Sequence, residues 1–216
     1  LTEPLSYAVE GHVFRAASVA GFRPRKSTLN VKEQIAAALP DISRMVLAFG
    51  QVDLELGYYY RIAVKGEAVT PETYPDWLIS IYRDFLRGLT SKDCQLALKG
   101  VNLTTLAPVE FSARYVAKIV NEGGKLPRLT AVEKVRSYIL PEAEQNRMHL
   151  AFNDRLRDLA SEIGARYFDL NDALAEPAGE RKLADRFKPG TFDHHLADTV
   201  EVRQLHYRAI GKAFDI

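Results

Sequence analysis

The sequence predicts an α/β domain in which a parallel sheet carries helices on both faces. Short apolar runs alternate with longer helical patterns, the order that parallel strands and right-handed crossovers produce. The segment Arg44-Met45-Val46-Leu47-Ala48-Phe49 is apolar almost throughout, as in a strand buried on both faces. The length of 216 residues, 47% hydrophobic and 26% charged, suits one domain with a sizeable core spanning residues 1–216.

The elements follow in order. His12 to Val19 reads as a strand ending at Ala20-Gly21. Val31 to Leu39 reads as a short helix stopped near Pro40. The apolar strand Arg44–Phe49 then runs into a turn at Gly50-Gln51-Val52-Asp53. After Pro71, Trp77, Ile81 and Phe85 recur at four-residue spacing with Leu78, Tyr82 and Leu89 beside them, a long amphipathic helix. Gln95 to Val101 is the next strand, and 102–134 reads as loop-rich with some helix. Glu142 to Ile163 is the clearest helix. Met148, Phe152, Leu156, Leu159 and Ile163 form its stripe, and Gly164 stands at its stop. Arg166 to Leu170 is the last strand, Asn171 to Ala175 a helical turn, and Pro177 to Thr191 a polar loop with Gly179, Pro189 and Gly190. Asp198 to Phe214 closes the chain as a helix with Val202, Leu205 and Ala209 inward.

The composition narrows the function. A net charge of +1 announces no nucleic-acid-binding face. No apolar run reaches membrane-span length, and no signal-peptide pattern is present. Cys94 is the single cysteine, which fits a reducing compartment, so a cytoplasmic location is expected. The chain begins at Leu1 rather than methionine, which leaves processing or a missing leader open.

Asp193-His194-His195-Leu196 carries the most chemistry. A carboxylate can orient an imidazole, and the imidazole can take a proton from a hydroxyl. The bland alternative is a surface loop with a helix-capping aspartate. In open parallel sheets the ligand crevice lies beyond the carboxyl ends of the strands. Gly21, the Gly50–Asp53 turn and Asn102–Thr105 all fall at strand ends, so the Asp193–His195 loop is expected to converge on them. Asp53 could position a substrate or bond backbone amides. Gly21 could offer an N–H to an oxyanion or simply serve a turn. Tyr58-Tyr59-Tyr60-Arg61 could stack on a sugar ring and pair with an acidic group, or pack inward. His12, His149 and His206 read as structural, and Cys94 as inert. Asp193, His194, His195 and Asp198 are ordinary metal-ligand types, but two adjacent loop histidines hold one ion poorly. The reading therefore assigns no metal and no cofactor.

These residues resemble the SGNH/GDSL hydrolases, a family of esterases and acyl-processing enzymes. Ala17-Ser18-Val19-Ala20-Gly21 is similar to the family's glycine block. Gly50-Gln51-Val52-Asp53 stands where Gly-x-Asn-Asp would be. Phe152-Asn153-Asp154-Arg155-Leu156 and Tyr167-Phe168-Asp169-Leu170 resemble the late helix and last strand, and Asp193-His194-His195-Leu196 stands at the final Asp-x-x-His block. The order of elements agrees over residues 12–214. The resemblance implies a flavodoxin-like three-layer α/β/α sandwich. It implies His195 as general base, with His194 as the fallback, and Asp193 as its carboxylate. Gly21 with the Gly50–Gln51 turn would hold an oxyanion, while Asp53 and Arg61 stay candidate substrate contacts from the residue reading alone.

The departures are specific. Val52 replaces the oxyanion asparagine, and the final block is one residue short. Phe49-Gly50-Gln51-Val52-Asp53 looks more like an offshoot with Phe-Gly-Glu-Ile-Asp found among bacterial surface-polysaccharide proteins, in which Gln51 or a backbone amide would take the donor role. No Gly-Asp-Ser is present: Ser6 has too few residues before it for a strand, and Ser18 lies inside a strand pattern. The family's first strand and its serine are thus expected ahead of Leu1. The implied activity is ester hydrolysis or acyl transfer on an acylated glycan or polysaccharide, with a small-molecule ester or glycan as substrate. The alternative is a non-catalytic glycan-binding or assembly module on the same fold. A phosphoacceptor domain using Asp53 ranks lower, because no acidic pair follows the first strand, and a metal-dependent phosphoesterase ranks lower still.

Overall fold

Three strands, β1 (Arg44–Leu47), β2 (Gln95–Lys99) and β3 (Arg166–Phe168), form a sheet in chain order with both pairings parallel. The computed structural model describes residues 7–14, 17–24, 29–89, 94–122, 124, 127–177 and 181–216. Ser6, Arg15, Ala16 and Gly179 lie outside the described residues. Side chains alternate along each strand. Met45, Leu47, Leu96, Leu98 and Tyr167 enter one apolar cluster, whereas Val46, Ala97 and Phe168 enter another. Both sheet faces are therefore apolar and need helical cover. α2 (Tyr74–Arg87) and α5 (Glu142–Glu162) supply it on one face, with α1 (Val31–Ala38) joining through Val31 and Ile35. α7 (Val200–Phe214) covers the other face through Ile210 and Phe214. The result is the expected α/β/α sandwich. No helix among the described residues is long and apolar enough to cross a membrane.

The expected strand at His12–Val19 does not form. Its described residues carry no strand, and Val19–Phe22 is a 3-10 turn. At the C-terminal end of the expected strand the backbone amides are already taken. The Asp53 carboxylate accepts the N–H of Val19 at 2.7 Å and of Ala20 at 3.0 Å, and the Ser18 hydroxyl accepts that of Gly21 at 3.2 Å. Donors committed to side chains are not offered to a neighbouring strand.

The turn after β1 opens a helix over 51–64, with π-helical stretches at Asp53–Gly57 and Tyr60–Val64. Gly50 makes the entry with φ +116°, where a Cβ would stand 2.8 Å from the Phe152 ring. A side chain there is excluded by both backbone and space. The 102–134 region is more helical than the loop-rich reading, with α3 (Val109–Val120) and α4 (Arg128–Arg136). Their buried faces use small or few residues, namely Ser112, Ala113, Val116 and Ala117 on α3 and Ala131 and Val135 on α4, so the apolar period is faint. α6 (Asn171–Leu174) is the expected helical turn after β3.

Past β2, the chain leaves the ladder, and side chains take over its pairing. Val101 N–H donates to Asn153 Oδ1 at 2.8 Å, and the Val101 carbonyl accepts from Asn153 Nδ2 and Asn171 Nδ2 at 2.9 and 3.0 Å. Asn102 N–H donates to Gln51 Oε1 at 2.8 Å, and its carbonyl accepts from His149 Nδ1 at 2.7 Å. Leu103 N–H reaches Asn171 Oδ1 at 2.9 Å and Thr104 N–H reaches Asn146 Oδ1 at 2.8 Å. Asn146, His149 and Asn153 share one side of α5, three and four residues apart, so one rigid helix face, with Gln51 and Asn171, replaces a strand partner. Burial holds the His149 imidazole down at about 4, and the ring works as a neutral donor and acceptor.

Candidate functional site

The stitched segment ends at Thr104 and Thr105, and Thr105 anchors the closing loop. Its hydroxyl donates to the Asp193 carbonyl at 2.6 Å. This places the Asp193 loop beyond the carboxyl end of β2. There, Asp193 Oδ1 accepts from His195 Nδ1 at 3.0 Å, from the His194 N–H at 2.6 Å and from the Tyr115 hydroxyl at 2.8 Å. A carboxylate on Nδ1 selects the tautomer with its proton there and leaves Nε2 as acceptor. The His195 side chain is 67% exposed and the His194 side chain 9%. His194 lies below, its Nδ1 touching both Tyr115 and Asp193. His195 is the imidazole open to a reactant.

Electrostatics keep the carboxylate ionised. Burial works to raise the Asp193 carboxyl, but hydrogen bonds from Tyr115, His195 and the His194 N–H outweigh it and hold the group below its usual range. His194 is pushed down by burial and by the neighbouring His195, against the pull of Asp193.

The other sequence-predicted site residues are committed to structure. Gly21 N–H goes to Ser18, so it is not free for an oxyanion. The Gln51 amide is paired with the backbone of Asn102 in both directions. Asp53 holds Val19 and Ala20, the amide-bonding alternative of the sequence reading, and burial lifts its carboxyl to about 6 despite those bonds. Gly50 serves the tight entry to the 51–64 helix. Arg61 pairs with Glu67 and covers the Trp77 ring at 3.8 Å. Tyr58 and Tyr59 are 4% and 2% exposed and cannot present a ring to a sugar. The structure thus joins Asp193 to His195 and, through Thr105, to the segment that Gln51 holds. Gly21, Asp53 and Arg61 form a separate group that shares no hydrogen bond with Asp193 or His195 among the described residues.

The ligand atoms of Asp193, His194 and His195 lie within 4.8 Å of one another, a donor set suited to a metal ion by type. The same atoms already bond each other and Tyr115, and Asp198 is paired with Arg203 at 2.7 Å. A resident ion would have to displace these contacts.

Sequence reasoning reached Thr105 only as the end of the Asn102–Thr105 strand-end segment, which does meet the closing loop, and it missed Tyr115 and Glu55. Glu55 is fully buried on the first π-helical stretch, and neither carboxylate oxygen completes a hydrogen bond of normal geometry. Burial pushes its carboxyl up to about 8, although Thr104, Gln51 and the Thr105 N–H lie near enough to pull it down, and the Asp193 charge adds to the rise. One signal was available: in Asp53-Leu54-Glu55-Leu56, acids alternate with leucines, a pattern that no solvent-facing helix stripe produces. Tyr115 left no local signal, being 78 residues from Asp193. Compared with known proteins, the chain matches no family model, no curated protein and no solved structure.

Proposed function

We propose that the protein is a hydrolase or acyl transferase of the SGNH type, acting on an ester such as an acylated glycan. The observation that carries this reading is the Asp193–His195 pair, a carboxylate on Nδ1 of an exposed imidazole. In the proposed reaction a nucleophile hydroxyl, not identified among the described residues, attacks the ester carbonyl, passes its proton to His195 Nε2 and retains the acyl group as the C–O bond to the leaving alcohol breaks. Asp193 stabilises the imidazolium, and His195 returns the proton to the leaving alcohol. Water completes hydrolysis by the same route, or a second alcohol accepts the acyl group. Tyr115 and Thr105 hold the aspartate in register from its side chain and its carbonyl.

The test is hydrolysis of a chromogenic acetyl ester by the purified protein. His195→Ala is expected to lower kcat by roughly a thousandfold or more, with melting unchanged because the ring is exposed. A His195→Ala protein as active as the wild type removes the base assignment. The second reading, a non-catalytic glycan-binding module, is favoured by Gly21 N–H and the Gln51 amide being already bonded. It expects no ester turnover and glycan binding indifferent to His195→Ala.

A further inference from the structure

We propose that Phe111 and Phe192 form a shelf that takes the apolar acyl chain of an ester bound at Asp193–His195. The proposal rests on the ester-hydrolase reading for its substrate, while the shelf itself rests on geometry. Phe111 is 53% exposed and Phe192 38% exposed, and their rings meet at 5.7 Å with a tilt of 42°. A solitary exposed phenylalanine is ordinary; here two in contact make a small contiguous apolar surface beside the polar site.

The shelf is continuous with the acid–imidazole pair. Phe192 packs edge-on against Tyr115 at 5.7 Å, Tyr115 meets the His194 ring at 5.7 Å, and His194 meets the His195 ring at 3.9 Å. Five rings therefore run from exposed Phe111 to exposed His195. Phe192 also directly precedes Asp193 in the chain. α3 makes the placement odd for packing alone, since it buries Ser112 and Ala113 while leaving Phe111 outside. Phe111 stands one turn from Tyr115 on the same helix, where neighbouring side chains meet.

The two rings, tilted by 42°, do not form one flat platform. A sugar face needs a flat ring and hydroxyl partners beside it, yet Tyr115 and His194 are already bonded to each other and to Asp193. An alkyl chain needs neither, and gains by leaving water.

The experiment compares chromogenic esters of rising chain length, acetate to octanoate, on the wild type, Phe111→Ala and Phe192→Ala. A second arm follows the ring NMR signals of Phe111 and Phe192 while sodium hexanoate or methyl β-glucopyranoside is added. The expected wild-type kcat/KM rises about tenfold or more from acetate to hexanoate through KM, and the ratio falls toward unity in both variants. Hexanoate is expected to shift both rings saturably. Ester turnover whose chain-length ratio is flat, or persists in both variants, overturns the shelf and leaves the hydrolase reading standing. Saturable ring shifts with hexanoate but no turnover of any ester support the shelf and overturn the hydrolase reading. Rings that respond to the pyranoside and ignore hexanoate overturn the acyl assignment.

Discussion

Replacing Glu55 by glutamine isolates the cost of a buried acid. Burial raises the Glu55 carboxyl from 4.5 to about 8, whereas the unfolded chain titrates near the ordinary value. Between those values the folded protein keeps a proton that the unfolded chain has released. Stability contributed by Glu55 is therefore full below pH 4.5 and is lost as pH rises to about 8, at about 1.4 kcal/mol per pH unit. Other shifted groups act elsewhere on the scale. Asp53, raised from 3.8 to about 6, has lost its share by about pH 6. His149, His194 and His206 are lowered from 6.5, so they add stability with rising pH only below that value. Lys99, lowered from 10.5 to about 8, adds stability with rising pH above 8. The interval from pH 6.5 to 8 belongs to Glu55, and the wild type is expected to lose about 2 kcal/mol across it. Glutamine keeps the shape and neutrality of the protonated acid and cannot ionise. Urea unfolding followed by circular dichroism at half-unit pH steps reads both proteins. The Glu55→Gln curve is expected to be flat where the wild type falls, and parallel curves over that interval would refute a buried, proton-holding Glu55.

The remaining predictions concern the supports of the site. Asn153→Ala removes the acceptor of Val101 N–H and, among the described residues, one of two side-chain donors to its carbonyl. It is expected to cost about 2–4 kcal/mol in denaturant unfolding, because buried backbone groups are left unpaired. A loss under about 0.5 kcal/mol would contradict the stitched segment. Tyr115→Phe deletes the hydroxyl donor to Asp193 Oδ1 and leaves those of His195 and the His194 N–H. The Asp193 carboxyl is then expected to titrate higher than in the wild type by carboxyl-carbon NMR, with a stability loss of about 1 kcal/mol. An unmoved Asp193 titration would show that the phenol does not govern it.

Much of the sandwich was legible because both sheet faces are covered. Met45 to Leu47 and Leu96 to Leu98 read as continuous apolar runs for that reason. The apolar stripe of α5 was legible, but its other buried side was not: Asn146, His149 and Asn153 have the period and polarity of a solvent face while being 2% exposed or less. The 3-10 turn that replaces the end of the expected His12–Val19 strand depends on a distant residue, since Asp53 takes the amides of Val19 and Ala20 from 34 and 33 positions away. The 51–64 helix escaped because π-helical stretches shift the apolar period that identifies a helix. In the candidate site, the local spacing of Asp193 and His195 was readable. Of the residues that hold them, Thr105 belonged to a segment expected at the strand ends, whereas Tyr115 comes from elsewhere in the chain and has no pattern of its own.

An exposed loop is a poor place to fix a carboxylate and an imidazole, since each is free to turn into water. Here the fixing begins in the core. α5 holds the chain beyond β2 through Asn146, His149 and Asn153, and that chain presents the Thr105 hydroxyl to the Asp193 carbonyl. α3 adds the Tyr115 hydroxyl on the Asp193 side chain. With backbone and carboxylate tied to two different helices' supports, Asp193 has little freedom left. Only His195, bonded to Asp193 and resting on the His194 ring but mostly exposed, keeps room to meet a reactant. The buried polar face of α5 and the exposed imidazole are thus parts of one arrangement: rigid amide pairing inside positions the acid, and the acid orients the base outside.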